Sequence, residues 1–252
     1  MSNTLFGGLK AKTEKMEQAR DSVGGFAAKD SDIYGAVLKV AYAGKSKGGA
    51  NFLSTVFVLA DGSEYKEDLY FTSGDDKGNL PYYTKGDKQF PLPGYTTVSD
   101  LLLVTAGTSL EEANFEEKVV NVYDAEAKKE LPKSVMVPVD AIGKNVSLAI
   151  QKILEVKQKK NESTGAYEDT DETRETNSID KVFDTDTKFT VIEAQNSADE
   201  PVFWDKWLEA NKGKVRDNTK KKGGGQQAGS NGAPPKAGAA APAPKTSLFA
   251  KK

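Results

Sequence analysis

The chain has 252 residues, which suggests one or two domains, and its 35 basic and 37 acidic residues nearly cancel. It contains no cysteine and no histidine, which excludes thiol nucleophiles, disulfides, Cys/His zinc sites and imidazole acid–base chemistry. The charge is uneven: residues 212–252 carry ten bases against one acid, and residues 1–211 carry 25 bases against 36 acids, so an acidic body precedes a basic tail.

The opening residues lack the apolar run of a signal peptide, and no stretch approaches the ~20 apolar residues of a membrane span. A soluble intracellular protein is the expectation. Residues 1–30 read as a loose arm in which Leu5, Phe6 and Leu9 stand among glycines, with a polar helix candidate over 14–20 ended by Gly24 and Gly25. Strands are expected over 33–42, 52–59 and 64–72. A glycine-rich turn over 44–49 joins the first two, and Asp61-Gly62 as a type I′ turn joins the last two. Three consecutive antiparallel strands make a meander.

Residues 73–95 read as a long aromatic loop carrying Tyr82, Tyr83, Phe90 and Tyr95, with Pro81, Pro91 and Pro93 opposing regular strand pairing. Thr97 or Ser99 then caps a short helix over 100–106, which Gly107 ends. Strands resume over 117–123, 134–139 and 145–156. A polar segment follows over 157–178, then short strands over 181–183 and 189–192. Asp199 and Pro201 open a helix over 199–211, with Phe203, Trp204, Trp207 and Leu208 as its apolar stripe and Gly213 as its stop. From about residue 216 the composition collapses to Lys, Gly, Ala, Pro and Gln, which predicts a disordered tether. Its tip holds Leu248, Phe249, Lys251 and Lys252, a candidate partner-docking element that echoes Thr4-Leu5-Phe6.

Catalytic signatures are missing. Gly44-Lys45-Ser46 lacks the leading glycine of a phosphate-binding loop, and the Asp184-Thr-Asp186 start of a calcium loop fails at Lys188. Asp169, Asp171, Glu172 and Glu175 read as a solvated acidic loop rather than a Mg²⁺ site. No enzyme activity, metal or cofactor is expected. What remains is interleaving of aromatics with bases. Lys39, Tyr42, Lys45, Lys47, Tyr70, Tyr82, Tyr83, Lys85, Lys88 and Arg174 form a candidate groove in which rings stack on bases and cations meet phosphates.

The stretches KVAYAGKSKGGA from Lys39, LADGSEYKEDLYFTSG from Leu59, KGNLPYYTKGDKQFPLPGY from Lys77, ETRETNSIDKVF from Glu172 and DKWLEANKGKVRD from Asp205 resemble the single-stranded-DNA-binding proteins of lytic tailed bacteriophages. The resemblance implies a mainly β fold: an oligonucleotide-binding (OB) barrel with extra strands, an internal helix and a C-terminal helix. The expected organisation is an arm over 1–30, the binding domain over 31–215 and a tail over 216–252. The resemblance also implies cooperative, largely sequence-independent coating of single-stranded DNA in phage replication, recombination and repair, in the host cytoplasm. Partners implied for the tail are phage replication proteins or, in late transcription, the host RNA polymerase. The departure from the usual pattern is that the tail is basic rather than acidic. The competing reading is a non-catalytic adaptor, a β domain with a tethered docking tail; a carboxylate hydrolase is a distant third.

Overall fold

The computed structural model describes residues 27–124, 127–163, 165 and 167–219. The helix candidate over 14–20 and the docking residues Leu248, Phe249, Lys251 and Lys252 lie outside them. No helix among the described residues is long and apolar enough to cross a membrane.

The expected meander is present as β1 (Asp32–Lys45), β2 (Asn51–Leu59) and β3 (Glu64–Tyr70), all antiparallel. Alternation sets the inner face. Leu53, Thr55, Phe57 and Leu59 on β2 are buried, and so are Tyr65 and Leu69 on β3. A bulge at Lys39 shifts the phase of β1, so that Leu38 and Ala41 both reach the core. The β2–β3 turn differs from the type I′ expectation. Only Gly62 has positive φ, at 80°, and its N–H donates to the Leu59 carbonyl at 2.9 Å. This is a type I turn closed by a left-handed glycine, a three-residue hairpin loop.

Next come the short ribbon β4 (Tyr82–Lys85) and β5 (Lys88–Pro91), then helix α1 (Pro93–Thr105). Both correct the expected loop. Pro81 lies outside the ribbon and Pro91 ends it, so neither interrupts the ladder between them. Pro93 sits in the first turn of α1, where a missing N–H costs nothing. Val98, Leu101 and Leu102 of α1 are fully buried in the main core.

The hairpin β6 (Phe115–Asp124) and β7 (Lys129–Pro138) follows, then the long pair β8 (Asn145–Lys160) and β9 (Tyr167–Phe183). Most of the segment expected to be a polar connection is therefore strand. Pairs such as Lys159 with Glu168 and Glu155 with Arg174 sustain the ladder where no apolar face is needed. Residues 189–192 also depart from expectation. Thr190 accepts from the Glu193 N–H at 3.1 Å while Glu193 accepts from the Thr190 N–H at 3.0 Å, a capping box that starts the short helix α2 (Val191–Gln195).

Helix α3 (Val202–Asn211) seats Phe203, Trp204, Trp207 and Leu208 against Ile33, Ala149 and Phe183, a second core on the other side of the sheet. Trp207 is buried, and its indole N–H donates to Asp180 Oδ2 at 2.6 Å. The chain then forms β10 (Val215–Asp217), parallel to β8, so the expected domain boundary at 215 falls within a strand.

The strands form an open, mixed eight-stranded sheet, with β4–β5 as a separate two-stranded sheet and helices packed on both sides. This corrects the OB-barrel expectation. Closure requires a backbone ladder along the free edge of β3, and among the described residues β3 pairs only with β2 and β9 only with β8. Side chains span the gap between them, Glu67 at its middle. Glu67 accepts from the Ile179 N–H at 2.8 Å, from Ser178 Oγ at 2.9 Å and from the Tyr65 hydroxyl at 2.7 Å. Burial raises its carboxyl above the ordinary range, against the opposing pull of these donors. A carboxylate occupies the seam, and the sheet curls without closing.

Candidate nucleic-acid interface

The face of β1–β3 turned away from the core carries two cross-strand rows at one end. Gly44, Phe52 and Tyr70 are in register, and so are Tyr42, Ser54 and Asp68. The Phe52 and Tyr70 rings lie 5.3 Å apart, tilted by 50°. Gly44 makes room for them: a Cβ there would stand 2.4 Å from Phe52 Cζ. Tyr70 is 48% exposed.

Loops brace this end. Lys45 Nζ is 3.4 Å from Asp75 Oδ1, and the Asp75 N–H donates to the Gly48 carbonyl at 2.9 Å. The Asn51 N–H donates to Thr72 Oγ1 at 2.8 Å, and Thr72 is hydrogen-bonded to Asn79 in turn. Helix α1 starts directly against β3, since a Cβ on Gly94 would fall 1.9 Å from the Tyr70 carbonyl oxygen. The β4–β5 ribbon therefore rises beside Tyr70, its base closed by the Leu92 N–H donating to the Pro81 carbonyl at 2.8 Å.

On the ribbon, Tyr83 faces Phe90 and Lys85 faces Lys88. Period-two alternation puts all four side chains on one face. The two rings stack at 5.6 Å with a 26° interplanar angle. Tyr82 pairs with Pro91 and points to the opposite face, so the ribbon separates Tyr82 from Tyr83. Lys47, Lys85 and Lys88 form no ion pair among the described residues. Tyr95 is committed to structure. Its hydroxyl hydrogen-bonds Glu111, which pushes its pKa up to about 12.

The ten groove candidates thus divide. Tyr42, Lys45, Lys47, Tyr70, Tyr82, Tyr83, Lys85 and Lys88 collect at the end of the sheet bearing the ribbon. Lys39 lies further along the outer face, where its ammonium donates to Glu64 at 2.7 Å; that hydrogen bond raises the Lys39 pKa and lowers that of Glu64. Arg174 stands apart, held to Glu155 at 2.7 Å on β8. It lies beyond Asn177, which Lys29 connects to Asp61 and Ser63 at the far end of β3. Phe52, Phe90 and Gly44 join the group without having been among the candidates. Their signal was register, since Phe52 falls opposite Tyr70 once the turn length is known.

No family model matches the chain, and no curated protein is similar to it at a significant level.

Proposed function

We propose that the protein binds single-stranded DNA without catalysis, along the outer face of β1–β3 and over the β4–β5 ribbon. The observation that carries this reading is the grouping, at one end of the sheet, of two aromatic pairs with lysines that have no carboxylate partner among the described residues. Each ring accepts any base, and each stacked base contributes ~1–3 kcal/mol. Lys47, Lys85 and Lys88 supply phosphate contacts. They offset the repulsion of an acidic body, whose net charge favours a local basic track over a generally attractive surface.

The physiological role that fits is coating of single strands in phage replication, recombination and repair in the host cytoplasm, with self-association between neighbouring copies. The tail, through Leu248, Phe249, Lys251 and Lys252, would dock a replication protein or the host RNA polymerase. Ultraviolet crosslinking of the full chain to a thymidine oligomer, mapped by mass spectrometry, tests the path. Crosslinks are expected at Tyr42, Phe52, Tyr70, Tyr83 or Phe90. Crosslinks confined to residues outside this group would refute it.

A further inference from the structure

Strand β6 is an open edge of the large sheet. Among the described residues it pairs only with β7, and over residues 115–123 no further backbone hydrogen bond extends from it. An unpaired edge of this length is a template for another strand unless it is covered or interrupted, and β6 contains no proline and no glycine. The face it shares with β7 exposes apolar side chains among polar ones: Val119 is 72% exposed, Tyr123 63% and Met136 44%, with Glu117, Asn121, Ser134 and Glu130 between them.

We propose that β6 pairs antiparallel with β6 of a second copy about a two-fold axis through Val119. The strand is complementary to itself in this register. Val119 meets Val119, Phe115 meets Tyr123, Glu117 meets Asn121, Lys118 meets Val120 and Glu116 meets Val122. No like charges oppose each other, and Phe115, Val119 and Tyr123 of each copy meet Tyr123, Val119 and Phe115 of the other. Slipping by two residues in one direction sets Lys118 against Lys118; slipping in the other sets Glu116 against Asp124. The pairing joins two sheets into one across an isologous contact, which closes on itself and does not propagate as a filament. A contact confined to one strand edge is expected to dissociate on the order of 10–100 µM.

Sedimentation equilibrium of the full chain, from about 5 to about 500 µM, reads this directly. The wild type is expected to pass from monomer to dimer, and Val119→Lys to weaken association at least tenfold. Because Val119 is exposed, the substitution leaves folding intact, which circular dichroism verifies. The chain has no cysteine, so Val119→Cys gives one unambiguous crosslink. Antiparallel neighbours have Cα separations of about 4.5–5.5 Å, within the range a disulfide spans. Under mild oxidation Val119→Cys is expected to crosslink, and Tyr167→Cys, an equally exposed position on β9, to remain monomeric. A monomer throughout the concentration range would overturn the proposal. So would association unchanged in Val119→Lys, or crosslinking no faster than in Tyr167→Cys.

Discussion

Phe52 and Tyr70 face each other across β2 and β3 with ring centroids 5.3 Å apart, and the Phe52 ring lies over Gly44, so the three residues form one surface. Replacing Tyr70 with Ala is expected to weaken binding of a thymidine oligomer by ~1–3 kcal/mol, the contribution of one stacked base. Its ring is half exposed, so thermal stability should change little. Gly44→Ala should weaken binding with both rings present, because the added methyl displaces Phe52. Fluorescence anisotropy and thermal melts on the same preparations check both effects.

Lys85 and Lys88 face each other near the ribbon tip with no ion pair to a carboxylate among the described residues. Removing either should lower the slope of log K against log salt by roughly 0.7, the single-strand value for one neutralised phosphate. Arg174→Ala provides the contrast. Its guanidinium is paired with Glu155 at the other end of the sheet, and the expected slope is that of the wild type. Salt titrations of the three variants decide.

Asp100 on α1 is only 9% exposed, and burial pushes its carboxyl up to about 6, with Lys181 pulling the other way. Because the folded value lies above the unfolded one, protonation favours the native state. This contribution is fully present below about pH 4 and is lost as the pH rises through about 6. Asp100→Asn should therefore be more stable than the wild type at pH 8, by up to about 3 kcal/mol, and equal to it near pH 4. Urea denaturation at the two pH values measures the difference.

Because β10 ends at Asp217 and the Asn218 N–H donates to the Leu154 carbonyl, a chain truncated after Thr219 keeps the whole described domain. Loss of residues 247–252 is expected to leave DNA affinity intact and to remove a protein contact. Loss of residues 220–252 should weaken DNA binding at low salt through the Lys220–Lys222 charges. If the shorter truncation weakens DNA binding as much as the longer one, the tip acts on DNA and the docking role fails.

The strands were legible where one face is buried. Alternation over β2 and β3 marks them; β8 was readable instead as an apolar run, since residues 146–150 are buried on both faces, and β6 from its valines, since it buries no side chain. Legibility failed where pairing is solvated on both faces, as in β9, whose polar residues carry no apolar period. It failed again around Pro81, Pro91 and Pro93, which read as breakers but sit at the limits of a ribbon and in the first turn of a helix. The open seam was hidden because it depends on one carboxylate, Glu67, meeting Ser178 and Ile179 from more than a hundred residues away. At the candidate site, residue type pointed to Tyr70, Tyr83 and the lysines. Register alone brings in Phe52, sets Phe90 against Tyr83 and leaves Arg174 apart.

Single-strand binding is decided by comparing the affinity of the full chain for a thymidine oligomer and for a duplex of the same length, across a series of salt concentrations. Single-strand binding is expected to be at least about tenfold tighter than duplex binding, because stacking needs unpaired bases. The expected log–log salt slope is roughly −2 for a chain truncated after Thr219, from about three phosphates neutralised by Lys47, Lys85 and Lys88, and steeper for the full chain, to which Lys220–Lys222 add. Equal or tighter binding to duplex, or no binding to the single strand even at low salt, would contradict the proposed function.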